Sequence, residues 1–98
     1  MKSTPPLPRV DLDGVGRRLE ALREALGLTR KEFAESFGLD ASSYTKTAAG
    51  EKALRSEAGF IISERWGVSM DFLYRGRMND LPDSLRQQIL ASLNGQAE

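Results

Sequence analysis

Ser43 and Lys46, a hydroxyl and an amine three positions apart, are the pair of residues closest in type to a catalytic arrangement. A serine can be activated by a lysine, but the lysine pKa must first be lowered by burial or by a neighbouring cation. The two residues fall on a segment predicted to be an exposed helix, where neither condition is met. The chain also has no histidine and no cysteine, which removes the commonest general bases, zinc ligands and thiol nucleophiles. We therefore expect no enzyme, no cofactor and no metal site.

The basic side chains are unevenly distributed, although the chain as a whole is neutral. The 14 basic and 14 acidic residues give a formal net charge of +0, whereas many DNA-binding domains are positively charged. Residues 41–55 nevertheless contain three basic side chains, Lys46, Lys52 and Arg55, against the single acid Glu51. A duplex contacts only one face of a small domain, so such a local excess suits DNA binding. Such a bias over a few side chains is, however, usually an ordinary solvated surface.

The elements that must position these side chains are predicted to be helices. The 98 residues, 40% of them apolar, favour one compact core. A first helix begins at Leu12 or Val15 and ends before Gly27. Its buried face is marked by apolar residues at steps of four, three and four: Val15, Leu19, Leu22 and Leu26. Because no segment alternates with period two, we expect no strand and an all-α fold.

A second and a third helix are predicted on either side of a glycine turn. Thr29 and Glu32 have the spacing of a capping box, so the second helix begins there. Gly38 supplies the left-handed conformation of the turn, and Asp40 caps a third helix that runs to about Ala49. The inner face of this pair consists of Phe33, Ala34, Phe37, Leu39 and Tyr44. We expect the tyrosine to pack in the core rather than to stack on DNA.

Three further helices complete the prediction. The fourth opens at Ser56 and ends at Gly67, the fifth is capped by Ser69 and stops near Gly76, and the sixth follows Pro82. Their apolar faces are Ala58, Ile61, Ile62 and Trp66, then Phe72 and Leu73, then Leu85, Ile89 and Leu93. The face of the sixth helix could fold back on the core or pair with a second copy across a two-fold axis, and we favour pairing.

Two short helices joined by a glycine turn are the smallest unit that can rest one helix on a phosphate backbone and place the other in a major groove. The stretches GRRLEALREALGLTRKEFAESFGLD and SERWGVSMDFLYRG resemble the beginning and the end of the phage-repressor, Cro-like domain of the xenobiotic-response-element family. The resemblance covers residues 12–78 and implies the five-helix, lambda-repressor-like DNA-binding domain of that family. We expect residues 1–11 to be a flexible N-terminal arm and residues 79–98 an extra C-terminal helix and tail.

The resemblance also implies which residues contact double-stranded DNA. It places Ala41, Ser42 and Lys46, on a third helix at about residues 41–49, against base edges in the major groove. It implies phosphate contacts for Ser43, Thr45, Lys52 and Arg55, and a contact with the backbone or an outer base for Arg30. Hydroxyls and cations are the side chains that bind phosphate oxygens in such complexes.

The function expected from the resemblance is a sequence-specific transcription regulator in the cytoplasm, without a membrane partner. We expect a homodimer that forms through Leu85, Ile89 and Leu93. The alternative is a protein–protein interaction or antitoxin-like module that keeps the fold with weak or no DNA binding, which the neutral charge and Ala48 favour. The N-terminal arm, with Lys2 and Arg9, could enter a minor groove or remain a solvated tail.

Overall fold

The computed structural model describes residues 4–96 and folds them into six α-helices with no strand. The helices are α1 (Leu12–Leu26), α2 (Arg30–Ser36), α3 (Ala41–Ala48), α4 (Ser56–Trp66), α5 (Met70–Arg75) and α6 (Asp83–Gln96). The all-α prediction is confirmed. Residues 4–10, part of the predicted arm, precede α1 without regular structure and are exposed. Lys2 of that arm, and the last two residues of the predicted tail, lie outside the described residues.

The helix boundaries follow from caps that the sequence encodes. Thr29 Oγ1 accepts a 3.1 Å hydrogen bond from the Glu32 amide, and Glu32 Oε1 accepts a 2.9 Å bond from the Thr29 amide, which completes the predicted capping box of α2. Asp40 accepts a 2.7 Å bond from the Ser43 amide at the start of α3. Between α2 and α3, Gly38 has a φ of +81°, a value that costs a side-chain-bearing residue strain. The predicted helix–turn–helix connection is thus confirmed.

The core that supports α3 is aromatic. Phe33 of α2, Phe37 at the C-cap of that helix and Tyr44 of α3 pack edge to face on one another, with ring centroids 5.2 to 6.3 Å apart. The Tyr44 side chain is 0% exposed, which confirms its assignment to the core. Beneath this cluster lie fully buried side chains from four other helices: Leu19, Leu22, Ile62, Phe72, Leu73 and Ile89.

The sixth helix corrects one prediction. Ile89 is 0% exposed, and Leu85 and Leu93 pack against the same core from α6. The principal neighbour of α6 is α1, with a further hydrogen bond of 3.0 Å from Ser92 Oγ to Glu24 Oε2. Ile89, at the centre of the apolar face that we expected to pair with a second copy, is therefore covered by the chain's own core, while Leu85 and Leu93 are half-buried against it. An apolar stripe predicts that a helix face is buried, but it does not predict which surface covers that face.

The helices α1 and α3 are in close contact at Gly16. A Cβ atom on this residue would overlap the carbonyl oxygen of Ala48 and would lie 2.9 Å from that of Thr47. Glycine is thus required where α1 crosses the C-terminal end of α3, which fixes how far α3 projects from the core. No helix in residues 4–96 combines the length and hydropathy that a membrane span requires.

Candidate nucleic-acid interface

The outer face of α3 is largely exposed to solvent. Ser42, Thr45 and Lys46 are exposed and Ala41 is half-buried, while Tyr44 on the opposite side is buried. Positions 41, 42, 45 and 46 share one face of a helix because they are separated by one, three, four or five residues. The structure therefore brings together the three residues predicted to meet base edges, with Thr45 beside them.

The hydroxyl groups of α3 differ in what they already bind. Thr45 Oγ1 donates a 2.9 Å hydrogen bond to the Ala41 carbonyl within its own helix, which leaves its oxygen exposed. Ser43, which is half-buried, donates from its amide to Asp40 Oδ1 at 2.7 Å and from Oγ to Asp40 Oδ2 at 3.3 Å. The hydrogen bond from the Ser43 amide, with a contribution from the charge of Lys52, holds the pKa of Asp40 below its usual value. Sequence reasoning identified Asp40 as a cap but missed that it also engages the hydroxyl of Ser43.

Ser43, Lys52 and Arg55 meet at a surface depression between α3 and the start of α4. The depression has a volume of about 290 Å³, and its other lining residues are Leu39, Thr47, Ala53, Leu54 and Ala58. Arg55 is the N-cap residue of α4 and provides no side-chain cap, so the first amides of α4 have no side-chain acceptor there. The Tyr74 hydroxyl lies 2.8 and 2.9 Å from the carbonyl oxygens of Leu54 and Arg55 and fixes this loop from the side of α5.

The basic side chains of this region are available to a ligand. Lys46, Lys52 and Arg55 are all exposed. No ion pair joins Lys46 or Arg55 to an acidic residue within the described part of the chain, whereas Lys52 acts electrostatically on Asp40. Together with the uncapped amides of α4, these cations form a surface that attracts anionic oxygens.

Arg30 stands apart from that depression and is bound to a residue that sequence reasoning missed. Its Nη2 atom donates a 3.0 Å hydrogen bond to Glu20 Oε1 on α1, while its side chain remains 52% exposed. The same carboxylate accepts bonds from Arg23 and from the Tyr44 hydroxyl, so Arg30 is connected to α3 through one group. Only the spacing of Glu20 and Arg23, three apart on a helix, could have been read from the sequence.

Burial of Glu20 acts to raise its pKa, but the hydrogen bonds from Arg23, Tyr44 and Arg30 outweigh it, so that the pKa lies below its usual value. Burial and the hydrogen bond to Glu20 both raise the pKa of Tyr44. The glutamate is therefore ionised and the tyrosine protonated at neutral pH, which is the combination that their short contact of 2.6 Å requires.

The arrangement of α2, the turn at Gly38 and α3, with an exposed outer face on α3 and cations beside it, defines a helix-turn-helix protein. A family model described as helix-turn-helix matches residues 19–73, which is more than half of the chain. The chain therefore belongs to the Cro-like helix-turn-helix family of the xenobiotic-response-element type, a family of DNA-binding regulatory domains. The resemblance stated from the sequence is confirmed. No curated protein and no solved structure is a significant match to the chain.

Proposed function

We propose that this protein is a sequence-specific transcription regulator that inserts α3 into the major groove of double-stranded DNA. The observation that carries the proposal is the exposed outer face of α3, whose opposite face is anchored by the fully buried Tyr44. A helix held by its inner side, with polar and cationic groups on the outer side, meets the steric requirement for entering a groove about 12 Å wide.

The side chains of this face have distinct proposed roles. Lys46 reaches the acceptor atoms of guanine, while Ala41 and Ser42 are small enough to let the helix approach the bases closely. With only one long side chain among the three, direct readout is sparse, and DNA shape and water contribute to sequence preference.

Phosphate contacts are proposed for the residues around the depression and at its edge. Lys52 and Arg55 supply charge beside the uncapped start of α4, and Thr45 offers an exposed hydroxyl. Ser43 contributes from inside the depression, where its hydroxyl is shared with Asp40. Arg30 contacts the backbone or an outer base from the start of α2.

We further propose that the protein binds as a homodimer, with two copies of α3 in successive major grooves about one helical turn apart. Two copies of a recognition surface with few base contacts, bound to the two halves of a palindromic site, give higher affinity and specificity than one copy does. The contact between copies does not use the inner face of α6, because Ile89 is buried within its own chain. In this proposal residues 12–78 are the DNA-binding unit and α6 supports it.

Selection from a random duplex library, followed by fluorescence anisotropy of the winner and a scrambled duplex at two salt concentrations, tests the proposal. We expect an enriched palindrome that binds about a hundredfold or more tighter than the scrambled duplex. Lys46→Ala should reduce this ratio, whereas Arg65→Ala, which removes an exposed cation from the far end of α4, should not. An absence of enrichment together with weak binding of every duplex would reject the proposal.

A protein-interaction module is the second candidate, because a formal net charge of +0 gives no global attraction to DNA. A mainly apolar depression beside the turn, lined by Phe37, Gly38, Leu39, Ala58 and Ile61 among others, offers contact area for a protein. The two functions differ in their salt dependence. Phosphate contacts weaken steeply as salt rises, whereas an apolar interface changes little.

A further inference from the structure

Glu20 lies on α1, behind the proposed DNA surface, yet it contacts both helices of the helix–turn–helix unit. Its Oε1 atom accepts a 3.0 Å hydrogen bond from Arg30, the first residue of α2. Its Oε2 atom accepts a 2.6 Å bond from the Tyr44 hydroxyl in the middle of α3. One carboxylate therefore connects a DNA-facing arginine with the recognition helix.

Arg23 determines how far the Glu20 carboxylate neutralises the charge of Arg30. Its Nε and Nη2 atoms donate to the two oxygens of Glu20 at 2.9 and 3.2 Å, and its Nη1 atom donates to the Leu28 carbonyl at 2.8 Å. Arg23 is 19% exposed, so it and not Arg30 is the enclosed counter-ion of Glu20. The cluster keeps one net positive charge, and Arg30 is 52% exposed with a single N–H engaged. Arg30 is thus anchored while its charge is not cancelled.

Resting on the proposed DNA-binding function, we propose that Glu20 is a positioning residue of the DNA surface, which holds Arg30 in place for a phosphate and ties it to α3 through Tyr44. A free arginine loses side-chain entropy when DNA orders it, and an arginine already held by a carboxylate loses less. Because the guanidinium group is rigid and planar, holding one of its N–H groups also fixes the directions of its other N–H donors. Glu20 itself touches no DNA.

A double-mutant cycle tests the proposal on the full chain with a duplex of random sequence, where phosphate contacts dominate binding. The four proteins are wild type, Glu20→Gln, Arg30→Gln and the double variant, each shown to be folded by circular dichroism. We expect Arg30→Gln to lower the slope of log affinity against log salt by about 0.9, as the loss of one phosphate contact predicts. We expect the loss of affinity caused by Arg30→Gln to be about threefold to tenfold smaller in the Glu20→Gln background than in the wild type, because Glu20 no longer holds the arginine there.

A second pair of variants keeps the test decisive if Glu20→Gln is poorly folded. Arg30→Lys preserves the charge at an exposed position but loses the planar fork, and we expect it to bind severalfold more weakly than wild type. As the matched control, Glu24→Gln removes a carboxylate one turn along α1 that contacts Ser92 and acts electrostatically on Arg23, but that is not hydrogen-bonded to Arg30. This substitution should leave the effect of Arg30→Gln unchanged.

The possible results separate the two proposals. DNA binding by the wild type with no coupling between positions 20 and 30 would overturn the role of Glu20 and leave the DNA-binding function in place. The role of Glu20 would also be overturned if Arg30→Gln cost more affinity in the Glu20→Gln background than in the wild type, because Glu20 would then be keeping Arg30 away from the DNA. Failure of all four proteins to bind would reject both. A purely structural role of Glu20 would lower the affinity of both Glu20→Gln proteins equally, without coupling.

Discussion

Gly16→Ala is the substitution for which the structure makes the sharpest prediction. In the interior of an exposed helix, replacing glycine by alanine stabilises a protein by about 0.5 to 1 kcal/mol. At Gly16 the added methyl group would overlap the carbonyl oxygen of Ala48 and lie 2.9 Å from that of Thr47. Both obstacles are backbone atoms, so no side chain can rotate away and α1 and α3 must separate.

The net effect is the difference between these two contributions. Overpacking of a close contact costs about 1 to 3 kcal/mol, so the balance is a loss of about 1 kcal/mol. That corresponds to a roughly fivefold smaller folding equilibrium constant. The displaced element is α3, which we propose as the recognition helix, and therefore we also expect weaker binding to the selected operator.

Urea denaturation followed by circular dichroism measures the change, and Gly95→Ala provides the control. Gly95 lies in α6 with nothing within 4 Å of an added Cβ, so alanine there should be neutral or slightly stabilising. If Gly16→Ala raised the urea midpoint as much as Gly95→Ala does, the argument that Gly16 sets the distance between α1 and α3 would be refuted.

Three further predictions concern the supporting elements. Ile89→Ala should destabilise the protein by about 2 to 5 kcal/mol in urea at any protein concentration; a loss that appeared only as a change of oligomeric state in sedimentation would instead place Ile89 between copies. Thr29→Ala removes the cap of α2 and should cost about 1 kcal/mol by the same assay, whereas an unchanged midpoint would show that the capping box is dispensable. Because the pKa of Glu20 is lowered on folding, its contribution is present above the unfolded value of about 4.5 and is lost as pH falls through the lower folded pKa. Glu20→Gln should therefore flatten the stability profile in that acidic range, and an equally steep profile would show that another carboxylate causes it.

Local signals explain which parts of the fold could be predicted from the sequence. The capping box at Thr29 and Glu32, the turn at Gly38 and the cap at Asp40 each involve residues at most three apart, so the boundaries of α2 and α3 followed directly. The core role of Tyr44 followed from helical periodicity, and its burial confirmed it. Within such short spans, backbone hydrogen bonding leaves few alternatives.

The contacts that periodicity could not predict join residues far apart in the chain. Glu20 accepts a hydrogen bond from Tyr44, which lies 24 positions later in the chain, and neither residue type predicts that the other is its partner. The position of α6 could not be predicted either. The sequence indicated that Ile89 is buried, but not whether its own core or a second copy of the chain covers it. The predicted DNA contacts remain predictions, although the structure places Ser43, Lys52 and Arg55 around one depression and leaves the face that includes Lys46 exposed.

The packing of α6 on α1 has a consequence for how the protein is made. Residues near position 15 and residues near position 89 share one core, so α1 leaves the ribosome long before the side chains that cover it have been synthesised. Until α6 emerges, the apolar face of α1 has to be shielded by partial structure or by a chaperone, since exposed apolar surface in an unfinished chain promotes aggregation. A stop codon before α6 would therefore yield a domain that retains α3 but is prone to self-association.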